Sequence, residues 1–137
     1  MIDKLTHVGI HVINQKSAYD FYVNKLGFNV ITDVPMGKDT RWITVAPAEQ
    51  PDLEMVLTPI VESKQFPKET IEVMKDLVRK GTFGIGVFTC SDIYATYEAL
   101  KAKGVEFIKA PKQEFYGLEA LFKDDSGNWA SLKQLEK

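Results

Sequence analysis

The chain repeats itself without a gap at an offset of 77 residues. His7-Val8-Gly9-Ile10-His11, Ser17–Leu26, Gly27–Ile31 and Asp52–Met55 answer to Gly84-Ile85-Gly86-Val87-Phe88, Tyr94–Lys103 within the segment Asp92–Lys103, Gly104–Ile108 and Trp129–Leu132. Gly9 falls on Gly86, Ala18 on Ala95, Gly27 on Gly104 and Ile31 on Ile108. A duplicated unit of this size cannot bury a sheet face alone, so the two copies are expected to share one core as a single domain. The duplication is not uniform: His7 falls on Gly84 and Glu54 on Ser131.

Each copy reads as β-α-β-β-β. Thr6–Ile13 alternates and is rich in branched residues, which predicts a strand. Ser17 stands three residues before Asp20, an expected helix cap, and Ala18, Phe21, Tyr22 and Leu26 follow at helical spacing as core residues. Gly27 suits the left-handed position just past a helix. Strands are expected at Phe28–Val34, Arg41–Ala46 and Leu53–Thr58, with a turn at Pro47–Pro51. Module 1 is therefore residues 1–58. A connector, residues 59–83, carries Pro67 in a first helical turn, an Ile71, Met74, Leu77, Val78 stripe, basic Arg79 and Lys80, and Gly81 as terminator. Module 2, residues 84–137, opens with the strand Gly84–Cys90. Its helix is capped by Asp92 and presents Ile93, Thr96, Tyr97 and Leu100 on one face, with Gly104 ending it. Strands at Val105–Lys109, Tyr116–Lys123 and Trp129–Leu135 follow, with a tight turn at Asp124–Asn128.

The bulk numbers exclude several roles. Hydrophobic content of 45% with 26% charged residues is that of an ordinary soluble domain. A net charge of −2 with interspersed signs offers no face for nucleic acid or an anionic membrane. No apolar run reaches the ~18 residues of a membrane span. Met1–Leu5 lacks the basic-then-apolar layout of a signal peptide. Cys90, the one cysteine, has no internal disulfide partner and reads as a small packing residue, which with the rest points to the cytoplasm. No phosphate-binding glycine loop, nucleophile elbow or Cys-x-x-Cys pair appears.

Over essentially its whole length the chain resembles the vicinal-oxygen-chelate superfamily of glyoxalase I, bleomycin- and fosfomycin-resistance proteins and extradiol dioxygenases. His7-Val8-Gly9-Ile10, Phe21-Tyr22 leading to Leu26-Gly27-Phe28, and Asp124–Asn128 before the last strand carry the resemblance, by order and spacing. Arg41–Val45 with Gln50–Glu54 is similar to a subgroup labelled glyoxalase or extradiol dioxygenase. The resemblance implies an α+β fold, two βαβββ modules side by side in a curled mixed sheet around a cleft, and a homodimer.

It also implies metal ligands on the first and last strand of each module, which here are His7 and Glu54, then Gly84 and Ser131. A divalent ion (Zn, Ni, Mn or Fe) needs about three protein ligands to do Lewis-acid chemistry, and two of these four positions lack a good donor. His11 shares parity with His7 but lies roughly 13 Å along the strand, too far to join it on one ion. The remaining candidates are ligand-binding groups. Trp42 can stack and Arg41 can clamp an anion, although they alternate across the strand. Tyr116, with Phe115, is expected at a rim, while Glu119 and Ser131 are expected at the cleft. His7 and Glu54 are also the candidate catalytic pair, an imidazole oriented by a carboxylate. The leading expectation is a binding protein for a small, aromatic or hydrophobic molecule with an incomplete metal site and no assured cofactor. The alternatives are a metal-dependent lyase, isomerase or dioxygenase with a further ligand, and an interaction module.

Overall fold

Parity divides the first strand. Ile10 and Val12 are buried, whereas His7 and Gly9 are exposed and His11 is half-buried. In the computed structural model residues 1–135 are described, and they divide between residues 76 and 77 into two units. The first unit contains β1 (His7–Val12), α1 (Gln15–Tyr19) running on as a π-helical segment (Asp20–Lys25), β2 (Asn29–Pro35), β3 (Arg41–Ala46) and β4 (Glu54–Pro59). The division falls inside α2 (Lys68–Arg79), so the connector is shared between the units. The second unit continues with β5 (Gly84–Cys90), α3 (Ile93–Ala102), β6 (Glu106–Glu114), β7 (Gly117–Lys123) and β8 (Trp129–Gln134).

Each unit holds one mixed four-stranded sheet, ordered β1-β4-β3-β2 in the first and β5-β8-β7-β6 in the second. The β1–β4 and β5–β8 pairs are parallel and the others antiparallel. This is the expected α+β architecture, a β-α-β-β-β order in each module. In the first sheet, Ile43, Val45, Met55 and Leu57 form the buried side with Phe21 and Tyr22 of the helix. Gln15 ties helix to sheet, its amide donating to the Arg41 and Leu57 carbonyls and accepting from Arg41 N–H. In the second sheet Ala120, Phe122, Ala130 and Leu132 are buried, and Tyr97 of α3 meets Phe107 edge-on at 4.7 Å. Among the described residues no helix is long and apolar enough to cross a membrane.

Three details depart from the sequence reading. The first helix is capped by Asn14, whose side chain accepts from Ser17 N–H, and not by Ser17 itself. From Asn14 to Gly27 the chain is one residue longer than from Asp92, the cap of α3, to Gly104. The π-helical segment absorbs that residue, since a widened turn takes one extra residue without breaking the helix. Strand β6 also runs past Lys109 to Glu114. It crosses Pro111 because β6 is the edge of its sheet, where a missing N–H leaves no ladder bond unmade.

Candidate ligand-binding site

On the first sheet, the face turned away from the helix collects His7, Trp42, Thr44 and Glu54. His7 and Glu54 are register partners across the parallel β1–β4 pair. Their side chains meet at 3.1 Å, His7 Nε2 to Glu54 Oε2. The other carboxylate oxygen accepts a 2.6 Å hydrogen bond from the hydroxyl of Thr44, which is wholly buried. At the far side of the imidazole, Thr6 Oγ1 lies 2.8 Å from Nδ1. The result is a four-residue chain, Thr6–His7–Glu54–Thr44. Trp42 stands beside it, its ring centroid 6.4 Å from that of His7 and 38% of its surface exposed. The His7 and Glu54 side chains are 43% and 21% exposed, so solvent reaches the pair. Both imidazole nitrogens are engaged, and use of His7 as a base requires Thr6 to turn away first.

His11 lies on the same face, where burial pushes its imidazole below the ordinary range, and the edge of Phe66 packs on it at 5.1 Å. A turn in which Ser63 Oγ accepts from Gln65 and Phe66 N–H holds Phe66 there. Arg41 does not join the group. Its guanidinium donates to Asp33 at 2.6 Å on the opposite face, so the clamp expected of it is already engaged by its own strand neighbour.

The second module answers with the same motif reversed. Ser131 donates to Glu119 Oε2 at 2.6 Å. Ladder pairing sets Thr44 against Val56 and Glu119 against Lys133. Because Val56 and Lys133 are 77-offset equivalents, Glu119 is the counterpart of Thr44, and Ser131 of Glu54. The hydroxyl and the carboxylate have exchanged strands. Glu119 also accepts from Lys109 Nζ at 2.8 Å and from the Tyr116 hydroxyl. The Lys109 ammonium first, then Ser131 and Tyr116, hold the carboxyl of Glu119 down at about 2. The hydrogen bond to Glu119 raises both Lys109 and Tyr116 above their usual ranges. Lys133 places its ammonium 5.1 Å from the Tyr116 ring centre. Phe115 and Tyr116 form the two-residue tip of the β6–β7 hairpin, with Phe115 fully exposed. Cys90 is half-buried, and burial pushes its thiol up, away from thiolate chemistry.

The reversal bears on the metal ligands that the resemblance implies. Gly84 pairs with Trp129, and the residue opposite Ser131, as His7 is opposite Glu54, is Val87. Neither Gly84 nor Val87 carries a donor atom. A Cβ on Gly84 would lie 2.8 Å from the Trp129 indole, which occupies the space a ligand side chain needs. Glu119 already accepts from three donors of its own module. Among the described residues no three His, Cys, Asp or Glu side chains are grouped to hold an ion. The donor set does not fit a divalent metal. Gly84→Ala is expected to destabilise the fold by about 1–3 kcal/mol through overpacking against Trp129. In a Trp129→Ala background the same substitution should cost almost nothing in thermal denaturation, and an undiminished cost would exclude the indole as the cause.

Thr44 and Lys109 are the functional neighbours that sequence reasoning missed. Thr44 has a detectable signal, its parity with Trp42 on β3. Lys109 has none, because the irregular register of β6 between Phe107 and Lys112 hides which face it takes.

Comparisons with known proteins agree with the resemblance. A model of the Glyoxalase/Bleomycin resistance protein/Dioxygenase superfamily matches residues 4–132. The crystal structure of UcmS2 is 44% identical, with coverage of 97% of this chain and 98% of UcmS2 and a TM-score of 0.91. TnmS3, an antibiotic binding protein from Streptomyces sp. CB03234, is 28% identical, covers 98% of both chains and has a TM-score of 0.75. The uncharacterized protein YetH of Bacillus subtilis (strain 168) is 36% identical over 98% of this chain and all of YetH.

Proposed function

This chain belongs to the Glyoxalase/Bleomycin resistance protein/Dioxygenase superfamily, and within it we propose that the protein binds a small aromatic or hydrophobic molecule without a metal. The observation that carries this reading is the half-exposed Trp42 beside the polar His7–Glu54–Thr44 array. An apolar ring surface with a few convergent polar groups is the general form of a small-molecule site. Metal-dependent lyase, isomerase or dioxygenase chemistry needs a further ligand, and none is grouped with His7 and Glu54 among the described residues. The antibiotic binding of TnmS3 supports the choice of ligand binding over such chemistry. In this reading the protein is cytoplasmic and homodimeric, the latter checked by light scattering.

The chain has two tryptophans, so Trp129→Phe leaves Trp42 as the sole indole. Titration of that variant with a panel of aromatic antibiotics is expected to change its fluorescence saturably for at least one compound. Trp42→Ala should weaken the same compound by about three- to tenfold in calorimetry, the worth of one aromatic contact. A panel that leaves Trp42 fluorescence unchanged throughout would count against the proposal.

A further inference from the structure

Every donor in the Thr6–His7–Glu54–Thr44 chain points along the chain, and none is left to offer a ligand. The Thr44 hydroxyl donates to Glu54 Oε1, because an ionised carboxylate only accepts. For the same reason the contact between His7 Nε2 and Glu54 Oε2 places a hydrogen on Nε2. With the imidazole neutral, Nδ1 then holds a lone pair, and the Thr6 hydroxyl at 2.8 Å is its donor. Each carboxylate oxygen has about two acceptor positions, so one on each oxygen of Glu54 remains. The side chain is 21% exposed, and those positions open to the face where Trp42 stands. Among the described residues no Lys or Arg forms an ion pair with Glu54: Arg41 pairs with Asp33 on the other face and Lys4 with Asp52. His11 is roughly 13 Å along the strand, beyond reach of a group bound at Glu54.

We infer that the ligand of this face carries a hydrogen-bond donor on an aromatic ring, a hydroxyl or an amine N–H, which it gives to Glu54 while the ring lies against Trp42. An anionic group in the same place meets the carboxylate, and no donor of the Thr6–His7–Glu54–Thr44 chain is free to receive it, so carboxylates and phosphates are disfavoured there. The inference rests on the proposed aromatic-binding role and adds the polarity of the ligand to it. Thr44 is a positioning residue here. By occupying Oε1 it fixes the rotation of Glu54 that turns Oε2 to His7.

The test uses four naphthalenes of one shape, titrated calorimetrically at mildly alkaline pH, where an imidazole is neutral. 2-Naphthol and 2-naphthylamine are expected to bind at least about tenfold more tightly than 2-methoxynaphthalene, the scale of one hydrogen bond to a charged acceptor. 2-Naphthoate should be the weakest. Glu54→Gln, which removes the charge and adds donors, should narrow the naphthol advantage to about twofold and strengthen naphthoate. A ligand-free arm reads the His7 tautomer by nitrogen NMR, with Nε2–H expected. An Nδ1–H tautomer overturns the inference whether or not any probe binds. Naphthoate binding as tightly as naphthol overturns it while leaving aromatic binding intact. If none of the four binds, aromatic binding and the inference fall together.

Discussion

Gly127→Ala is expected to destabilise the protein by about 3 kcal/mol or more, a fall of roughly 10 °C in Tm. Gly127 sits at φ +118°, where side chains are strained, and an added Cβ would meet Val78 O at 2.5 Å and Arg79 O at 3.0 Å. Both are backbone atoms at the end of α2 and cannot rotate away. The turn that holds Gly127 is itself fastened from within. Asp124 Oδ1 accepts from the N–H groups of Ser126, Gly127 and Asn128, and Oδ2 accepts from the Asn128 side chain. The turn therefore cannot swing aside to relieve the clash. Gly27 provides the control. Its φ is +77° and nothing lies within 4 Å of its Cβ position, so Gly27→Ala should cost only the conformational strain, about 1 kcal/mol. Equal losses for the two variants in chemical denaturation would show that the contact with α2 does not matter.

That turn is also a fair measure of what the sequence discloses. The Asp-Asp-Ser-Gly-Asn run announces a tight turn, and its counterpart 77 residues earlier closes the same way. Gln50 N–H donates to the Pro47 carbonyl as Gly127 N–H donates to that of Asp124. Branched alternation and the glycines at 27, 81 and 104, all at positive φ, made the strands and helix ends legible because those signals are local. The gapless repeat failed where strands slide as units. The ladders place Glu119, not Leu121, as the counterpart of Thr44, and register between strands is set by packing that no offset reveals. In the site, His7 and Glu54 were legible as an asymmetry of the duplication. Their partner Thr44 was not, since a threonine in a strand is commonplace. Parity already separated Arg41 from Trp42, but only the structure shows which of them shares a face with Glu54.

Glu119→Gln is expected to remove about 2 kcal/mol of stability at neutral pH, and the loss should vanish in acid. The Glu119 side chain is only 14% exposed and accepts from Lys109, Ser131 and Tyr116. An amide in its place cannot accept at both ends and leaves the Lys109 ammonium only its longer pairing with Glu114, at 3.6 Å. The sign of the pH dependence follows from the direction of the shift. The folded carboxyl lies at about 2, below its ordinary 4.5. Its contribution is therefore fully present above about pH 4.5 and is lost as pH falls towards about 2, because the unfolded chain takes up the proton first. Denaturant titrations of the two proteins should differ most above pH 5 and converge by about pH 2. On the alkaline side the signs reverse. Lys109 and Tyr116 are raised by the same carboxylate, so what they contribute is present below their ordinary values and fades as pH rises through the raised ones. In Glu119→Gln the Tyr116 phenol should ionise at lower pH than in the parent, seen as earlier phenolate absorbance. A Tyr116 titration that does not move, together with an unchanged acid limb, would mean that Glu119 does not hold this cluster in solution. The reversed carboxylate of the second module would then be an ordinary surface group and not the internally partnered counterpart of Glu54.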